Sequence, residues 1–147
     1  MYSGPMDDSV ADVLSLLGDR WALRVVRDVA LGHRRFDELA DRTAAPRTVL
    51  SDRLRRLVEA QILTTRPYQV PGRRTQQEYV LTDAGIDLVP VLAALSDWGD
   101  RHLGQRRTSP EVVYRHSACG GQVSAALRCE CGQAADPHAG VVAEVRH

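Results

Sequence analysis

Four amphipathic stretches, then two β-prone runs around a basic turn, then one long apolar stretch predict a mostly helical α+β fold. The third and fourth stretches, at about 36–42 and 47–60, are separated only by a tight turn, which is helix-turn-helix spacing. Three cysteines, all between 119 and 131, lie beyond the last helix. Together these observations predict a winged helix-turn-helix with a two-stranded wing, a long C-terminal dimerisation helix and a small zinc-ribbon-like extension. The expected division is 8–103 for the winged domain with its dimerisation helices and 104–147 for the Cys/His extension.

Each element has a local reason. "VADVLSLLG" sets Val10, Val13, Leu14 and Leu17 at i, i+3, i+4, i+7, a helix with a core-facing stripe that stops at Gly18. "DRWALRVVRDVALG" repeats the pattern with Ala22, Val25, Val26 and Val29, and Asp19 can cap its start. "FDELADRT" buries Phe36, Leu39 and Ala40, and "AAP" breaks it. "RTVLSDRLRRLVEAQIL" turns Leu50, Leu54, Leu57 and Val58 inward and leaves Arg47, Thr48, Ser51, Asp52 and Arg55 on the other side. "ILTTRPYQV" and "QEYVLT" read as strands around "PGRRTQ". Thr82 or Asp83 then caps a long helix whose apolar positions are Leu88, Val91, Leu92, Leu95, Trp98 and His102. Pro90 must kink that helix or cut a first turn from it. The stripe is wider than a small core needs, which points to pairing with a second copy; simple cover for the three-helix core is the alternative.

Composition bounds the function. At 147 residues and 44% hydrophobic, the chain suits one domain with a small appendage and excludes wholesale disorder. Net charge is zero, so only the distribution of charge can signal a nucleic-acid partner. All 19 basic residues are Arg, which suits forked contacts with phosphate or guanine, although codon bias produces the same composition. Seven arginines between Arg47 and Arg74 face only Asp52 and Glu59, whereas the first nineteen residues hold four aspartates and no base. No apolar run approaches the ~20 residues that span a membrane. The polar, acidic start is not a signal peptide, so a cytoplasmic protein is expected. There is no Gly-rich phosphate loop, no nucleophile elbow and no paired-carboxylate arrangement, so an enzyme is not expected.

Several motifs in combination resemble the HxlR-type winged-helix transcriptional regulators, which are close to the MarR group. They are the Gly18-x-x-Trp21 turn, Arg35-Phe36-x-x-Leu39, Leu50-x-x-Arg53-Leu54, Tyr79-x-Leu81-Thr82 and Trp98-Gly99. The resemblance runs over about residues 8 to 103 and implies a dimeric bacterial DNA-binding protein that usually represses nearby genes. Two departures stand out. Many family members are similar to one another in a thiol-sensing Cys some thirteen residues before the turn tryptophan, and Asp8 holds that place here. The wing also carries an extra basic "PGRRTQQ".

The expected partner is double-stranded operator DNA. Docking of this motif places the start of the second helix in the major groove, so 47–59 is the expected recognition helix and 66–82 the wing. Arg47 suits guanine O6/N7, Asp52 can accept from cytosine N4, and Thr48, Ser51 and Arg55 share their face. Arg35 precedes the third helix near the expected path of the backbone, and Arg73 and Arg74 are expected at phosphate or in the minor groove. Arg53 is expected to pair within the protein. In the tail, His116-x-x-Cys119-Gly and Cys129-x-Cys131-Gly offer four ligands for a structural zinc, with His138 as a substitute; degenerate or simply reduced thiols are the alternatives. Cys129 and Cys131 also allow redox chemistry, but no electropositive site that would lower a thiol pKa is visible. "VVAEVRH" is a candidate edge strand. A rival reading makes the Cys/His tail the working part of a metal-binding or protein-interaction module. A small-molecule effector has room between long helix and winged domain, but no residue marks its site.

Overall fold

The computed structural model describes residues 8–104 and 112–145, in two compact units, one running to Val89 and the other starting at Pro90. The first unit is organised around one short helix. α1 (Ser9–Leu17) is capped by Asp8, whose Oδ1 accepts from the Ala11 N–H at 3.0 Å. α2 (Ala22–Ala30) buries Ala22, Val25, Val26 and Val29 and packs on α1, α3 (Phe36–Thr43), α4 (Arg47–Glu59) and β2 (Gln76–Leu81). Burial of these branched side chains is the main stabilising term. α4 adds Leu50, Leu54 and Leu57, all buried. The aliphatic periodicity of α2 is therefore realised, as is that of α4 at Leu50, Leu54 and Leu57, while Val58 is half-buried.

The turn between α3 and α4 is built from three residues. Ala44 adopts a left-handed conformation (φ 55°), Thr43 Oγ1 accepts from the Ala45 N–H, and Pro46 starts α4. A non-glycine residue at positive φ is strained, so this turn is held by its surroundings. Antiparallel strands β1 (Leu63–Tyr68) and β2 form the wing, in register from Leu63 opposite Leu81 to Tyr68 opposite Gln76. The Tyr79 N–H donates to the Arg34 carbonyl at 2.8 Å, tying the segment before α3 to β2.

Among the helices one anticipated alternative is realised and other expectations are corrected. The long helix does not run unbroken from Asp83: α5 (Asp83–Ile86), capped by Thr82, ends and α6 (Val89–His102) begins anew. Pro90 has no N–H for the Ile86 carbonyl and its ring collides there, so the second of the two anticipated outcomes is realised. Gly85 is required within α5, because an added Cβ would collide with the Ile62 carbonyl oxygen. The stripe of α1 does not face a core: Val10, Val13 and Leu14 are exposed in the single chain, and only Leu17 is buried. In α6, Leu92 and Ala93 are buried while Val91, Leu95 and Trp98 are exposed. Phe36 and Ala40, expected inside α3, are half-buried.

The second unit continues from α6 into two small hairpins. One is closed by a bridge between Arg115 and Gln122, the other by β3 (Leu127–Arg128) on β4 (Ala134–Ala135). Residues 141–145 form no strand, and the last two residues of the expected edge strand lie outside the described residues.

Candidate nucleic-acid interface

α4 presents one usable face. Leu50, Leu54 and Leu57 are fully buried, and Arg47, Thr48, Ser51 and Arg55 emerge on the opposite side, all exposed. Position spacing of four along a helix produces this single polar stripe. Asp52 is half-buried at its edge. The stripe is pre-ordered by ion pairs. Arg47 reaches Asp37 of α3 at 3.1 Å and lies over the Phe36 ring, with 4.8 Å from Cζ to centroid. Arg55 bridges Asp52 (2.7 Å) and Glu59 (2.8 Å). These exposed pairs are individually weak, so an incoming phosphate or base edge can displace them. The Arg55 guanidinium holds the Asp52 carboxyl below its ordinary range, so Asp52 stays an acceptor.

Arg53, expected to pair within the protein, does so, contacting Asp19 at 3.1 Å and Asp52 at 2.6 Å. Asp19 also performs its expected cap, accepting from the Trp21 N–H at 2.7 Å and the Ala22 N–H at 3.1 Å. Burial would raise the Asp19 pKa, but those two N–H groups and Arg53 outweigh it and lower it.

The wing tip is a designed turn. Pro71 and Gly72 (φ 78°) occupy its centre, and the Arg73 N–H donates to the Val70 carbonyl at 3.0 Å, the pattern of a type II turn. Gln69 braces the loop from inside through Arg73 O and Thr75 Oγ1. Arg73 and Arg74 follow, both exposed and without an ion pair among the described residues. Arg35 stacks over the Tyr68 ring at 4.3 Å, and Tyr68 Oη donates to Gln76 at 2.6 Å. The wing thus positions an arginine that belongs to the start of α3. At the same helix start, the Glu38 carboxylate accepts from the Arg35 and Arg34 N–H groups, which lower its pKa. Arg35 itself has no acceptor, so only this half of a capping box exists.

Two residues escaped the sequence reading. Asp28 is fully buried in α2 and paired with Arg27 and Arg42, each at 3.2 Å, so it joins α2 to α3 beneath the interface. Its signal was an aspartate inside an otherwise apolar face, between Val26 and Val29. Tyr68 showed no signal beyond strand propensity.

The tail brings its ligands together only in pairs. His116 Nδ1 lies 3.3 Å from Cys119 Sγ, which also accepts from the Gly121 N–H at 3.4 Å. Cys129 and Cys131 both lie in the turn between β3 and β4, which the Gly132 N–H closes on the Cys129 carbonyl at 2.8 Å. No group of three or more His, Cys, Asp or Glu side chains is placed to hold a metal among the described residues. No basic group among the described residues acts on Cys129; its thiol pKa is lowered by hydrogen bonding, first from the Cys131 backbone N–H and then from the Cys131 thiol. Asp8, in place of the family cysteine, is the α1 cap described above.

Comparison with known proteins places this geometry. The model of the HxlR-like helix-turn-helix family matches residues 16–107. Rv3095 of Mycobacterium tuberculosis, an uncharacterized HTH-type transcriptional regulator, is 40% identical over 127 residues, covering 86% of this chain and 78% of its own. The crystal structure of PA1607, a candidate transcription factor, superposes with a TM-score of 0.75 at 28% identity, over 95% of this chain and 96% of that one. The reduced form of the regulator YodB from Bacillus subtilis superposes at 0.57 and 25% identity, over 69% of this chain and all of its own. The likeness to PA1607 therefore extends into the tail, and that to YodB does not.

Proposed function

The chain belongs to the HxlR-like helix-turn-helix family of DNA-binding transcriptional regulators, and from that premise we propose that it is a homodimeric repressor that reads its operator with α4 and grips flanking backbone with the wing. The observation that carries this reading is the division of α4. Its aliphatic side is consumed by the core, so its N-terminal half offers the Arg47, Thr48, Ser51 and Arg55 face. Docking such a helix by its N-terminal half puts Arg47 and Thr48 at base edges, with Asp52 as acceptor. Arg73 and Arg74 supply sequence-independent phosphate attraction, and Arg35, steadied by Tyr68, adds to it.

Dimerisation is supported by the exposed apolar side chains: Val10, Val13 and Leu14 on α1, and Val91, Leu95 and Trp98 at i, i+4, i+7 on α6. No described helix is long and apolar enough to cross a membrane; we place the protein in the cytoplasm, at the nucleoid, and assign it no chemistry of its own.

The test is fluorescence anisotropy with footprinted DNA from the intergenic region beside the coding gene, titrated over salt. Arg47→Ala is expected to flatten discrimination between operator and mutated operator by about 1–3 kcal/mol. Arg73→Ala with Arg74→Ala is expected to weaken binding to every sequence and reduce the salt slope by about one to two. An unchanged salt slope in the double variant would remove the wing from the interface, and unchanged discrimination in the first would remove Arg47 from base reading.

A further inference from the structure

We propose that Cys129 and Cys131 form a dithiol that a small-molecule disulfide oxidises to an intrachain disulfide across the tip of the β3–β4 hairpin. The turn is built to bring the two together. The Cys129 N–H donates to the Gln133 carbonyl at 2.9 Å, and the Gly132 N–H donates back to the Cys129 carbonyl at 2.8 Å. Gly132 takes φ 89°, a conformation that glycine supplies at little cost. This curls residues 129–132 into a tight turn at the hairpin tip and holds the two cysteines two positions apart within it. Two residues apart, the Cα atoms can be separated by at most about 7 Å even when extended, and a turn shortens that into the range a disulfide spans.

Both thiols are free and exposed, so an oxidant reaches them without opening a core. The third cysteine lies in the other hairpin, where Cys119 Sγ contacts His116 Nδ1 and the Gly121 N–H. No third His, Cys, Asp or Glu side chain is grouped with the pair among the described residues.

The exchange balances. The Cys129 thiolate attacks one sulfur of the disulfide RS–SR; that S–S bond breaks, and RS⁻ leaves and takes up the proton lost by Cys129. Cys131, losing its own proton, then attacks the Cys129 sulfur of the mixed disulfide and expels the second thiolate. The protein gives up two electrons and two protons, and RS–SR becomes two RSH. The site is distinct from the N-terminal position, where Asp8 carries no sulfur.

The test uses the full-length reduced protein equilibrated with glutathione and glutathione disulfide, then alkylated, digested with trypsin and weighed. Cleavage after Arg115 and Arg128 separates Cys119 from the Cys129–Cys131 pair. The expected result is a Cys129–Cys131 peptide that is lighter by two hydrogen atoms and takes no alkyl group, while Cys119 is alkylated. Cys119→Ser is expected to oxidise as the parent does, and Cys131→Ser to stop at one glutathione on Cys129. The proposal is overturned if both cysteines of the pair are alkylated or separately glutathionylated. It is equally overturned if the disulfide joins Cys119 or a second chain. One zinc per chain in the purified protein, with all three thiols protected until it is chelated, also overturns it by making the cysteines ligands.

Discussion

In the unit that ends at Val89, Leu39, Leu50 and Leu54 have no accessible surface, and an aspartate is sealed in with two arginine partners. Between residues 112 and 145 not one described residue is fully buried, and the segment is held by hydrogen bonds within its two hairpins and by the Ala125 N–H donating to Asp97 of α6. Both regions contain valines, leucines and charges. The difference is whether apolar faces recur at a helical period long enough to close on each other. A hairpin with two-residue strands cannot bury enough surface to offset its ordering entropy. Chemistry at such a tip is therefore accessible, whereas the winged unit can display arginines only because a rigid core stands behind them.

That contrast can be broken or sharpened by substitution, beginning with the largest effect. Leu54→Ala removes a side chain with no exposed surface, and urea unfolding is expected to show a loss of about 2–5 kcal/mol. A loss under 1 kcal/mol would mean that the α4 core is loosely packed. Asp28→Ala leaves Arg27 and Arg42 without their shared partner; because both arginines are partly exposed and can turn to water, the expected loss is about 1–3 kcal/mol. Ala44→Gly relieves the left-handed strain of the helix-turn-helix turn and is expected to gain about 0.5–1 kcal/mol, visible as a raised Tm. No gain would place the strain elsewhere. The smallest effect belongs to the tail: Val142→Asp, at a residue 76% exposed, is expected to stay within about 0.5 kcal/mol of the parent. A larger loss would reveal packing that the exposed tail does not show.

The exposed face of α4 was legible because it needs only a period. Counting Leu50, Leu54, Leu57 and Val58 inward leaves Arg47, Thr48, Ser51, Asp52 and Arg55 outward, and the structure agrees except at Val58 and Asp52, which are half-buried. The wing turn was legible because Pro71-Gly72 has one economical geometry. Periodicity misled on α1, where Val10, Val13 and Leu14 mark a face that must be covered without saying by what. In the tail, the spacing of His116, Cys119, Cys129 and Cys131 offers four ligands, and the structure sets His116 Nδ1 beside Cys119 Sγ in one hairpin and Cys129 and Cys131 in the turn of the other. Spacing within a turn is a local property, and the approach of two turns is not.

By itself the sequence determined the helices α2 to α4, the hairpin, the break that Pro90 imposes and the residues left over for solvent on α4. Those follow from side-chain periodicity and from proline and glycine stereochemistry, which act within a few residues. Only the tertiary structure decided which charges meet: Asp28 with Arg42, Asp37 with Arg47, and Arg35 with the Tyr68 ring. These partners are distant along the chain, and electrostatic and ring contacts fall off within a few ångströms. Their pairing therefore depends on how the turns bring whole elements together rather than on any local pattern.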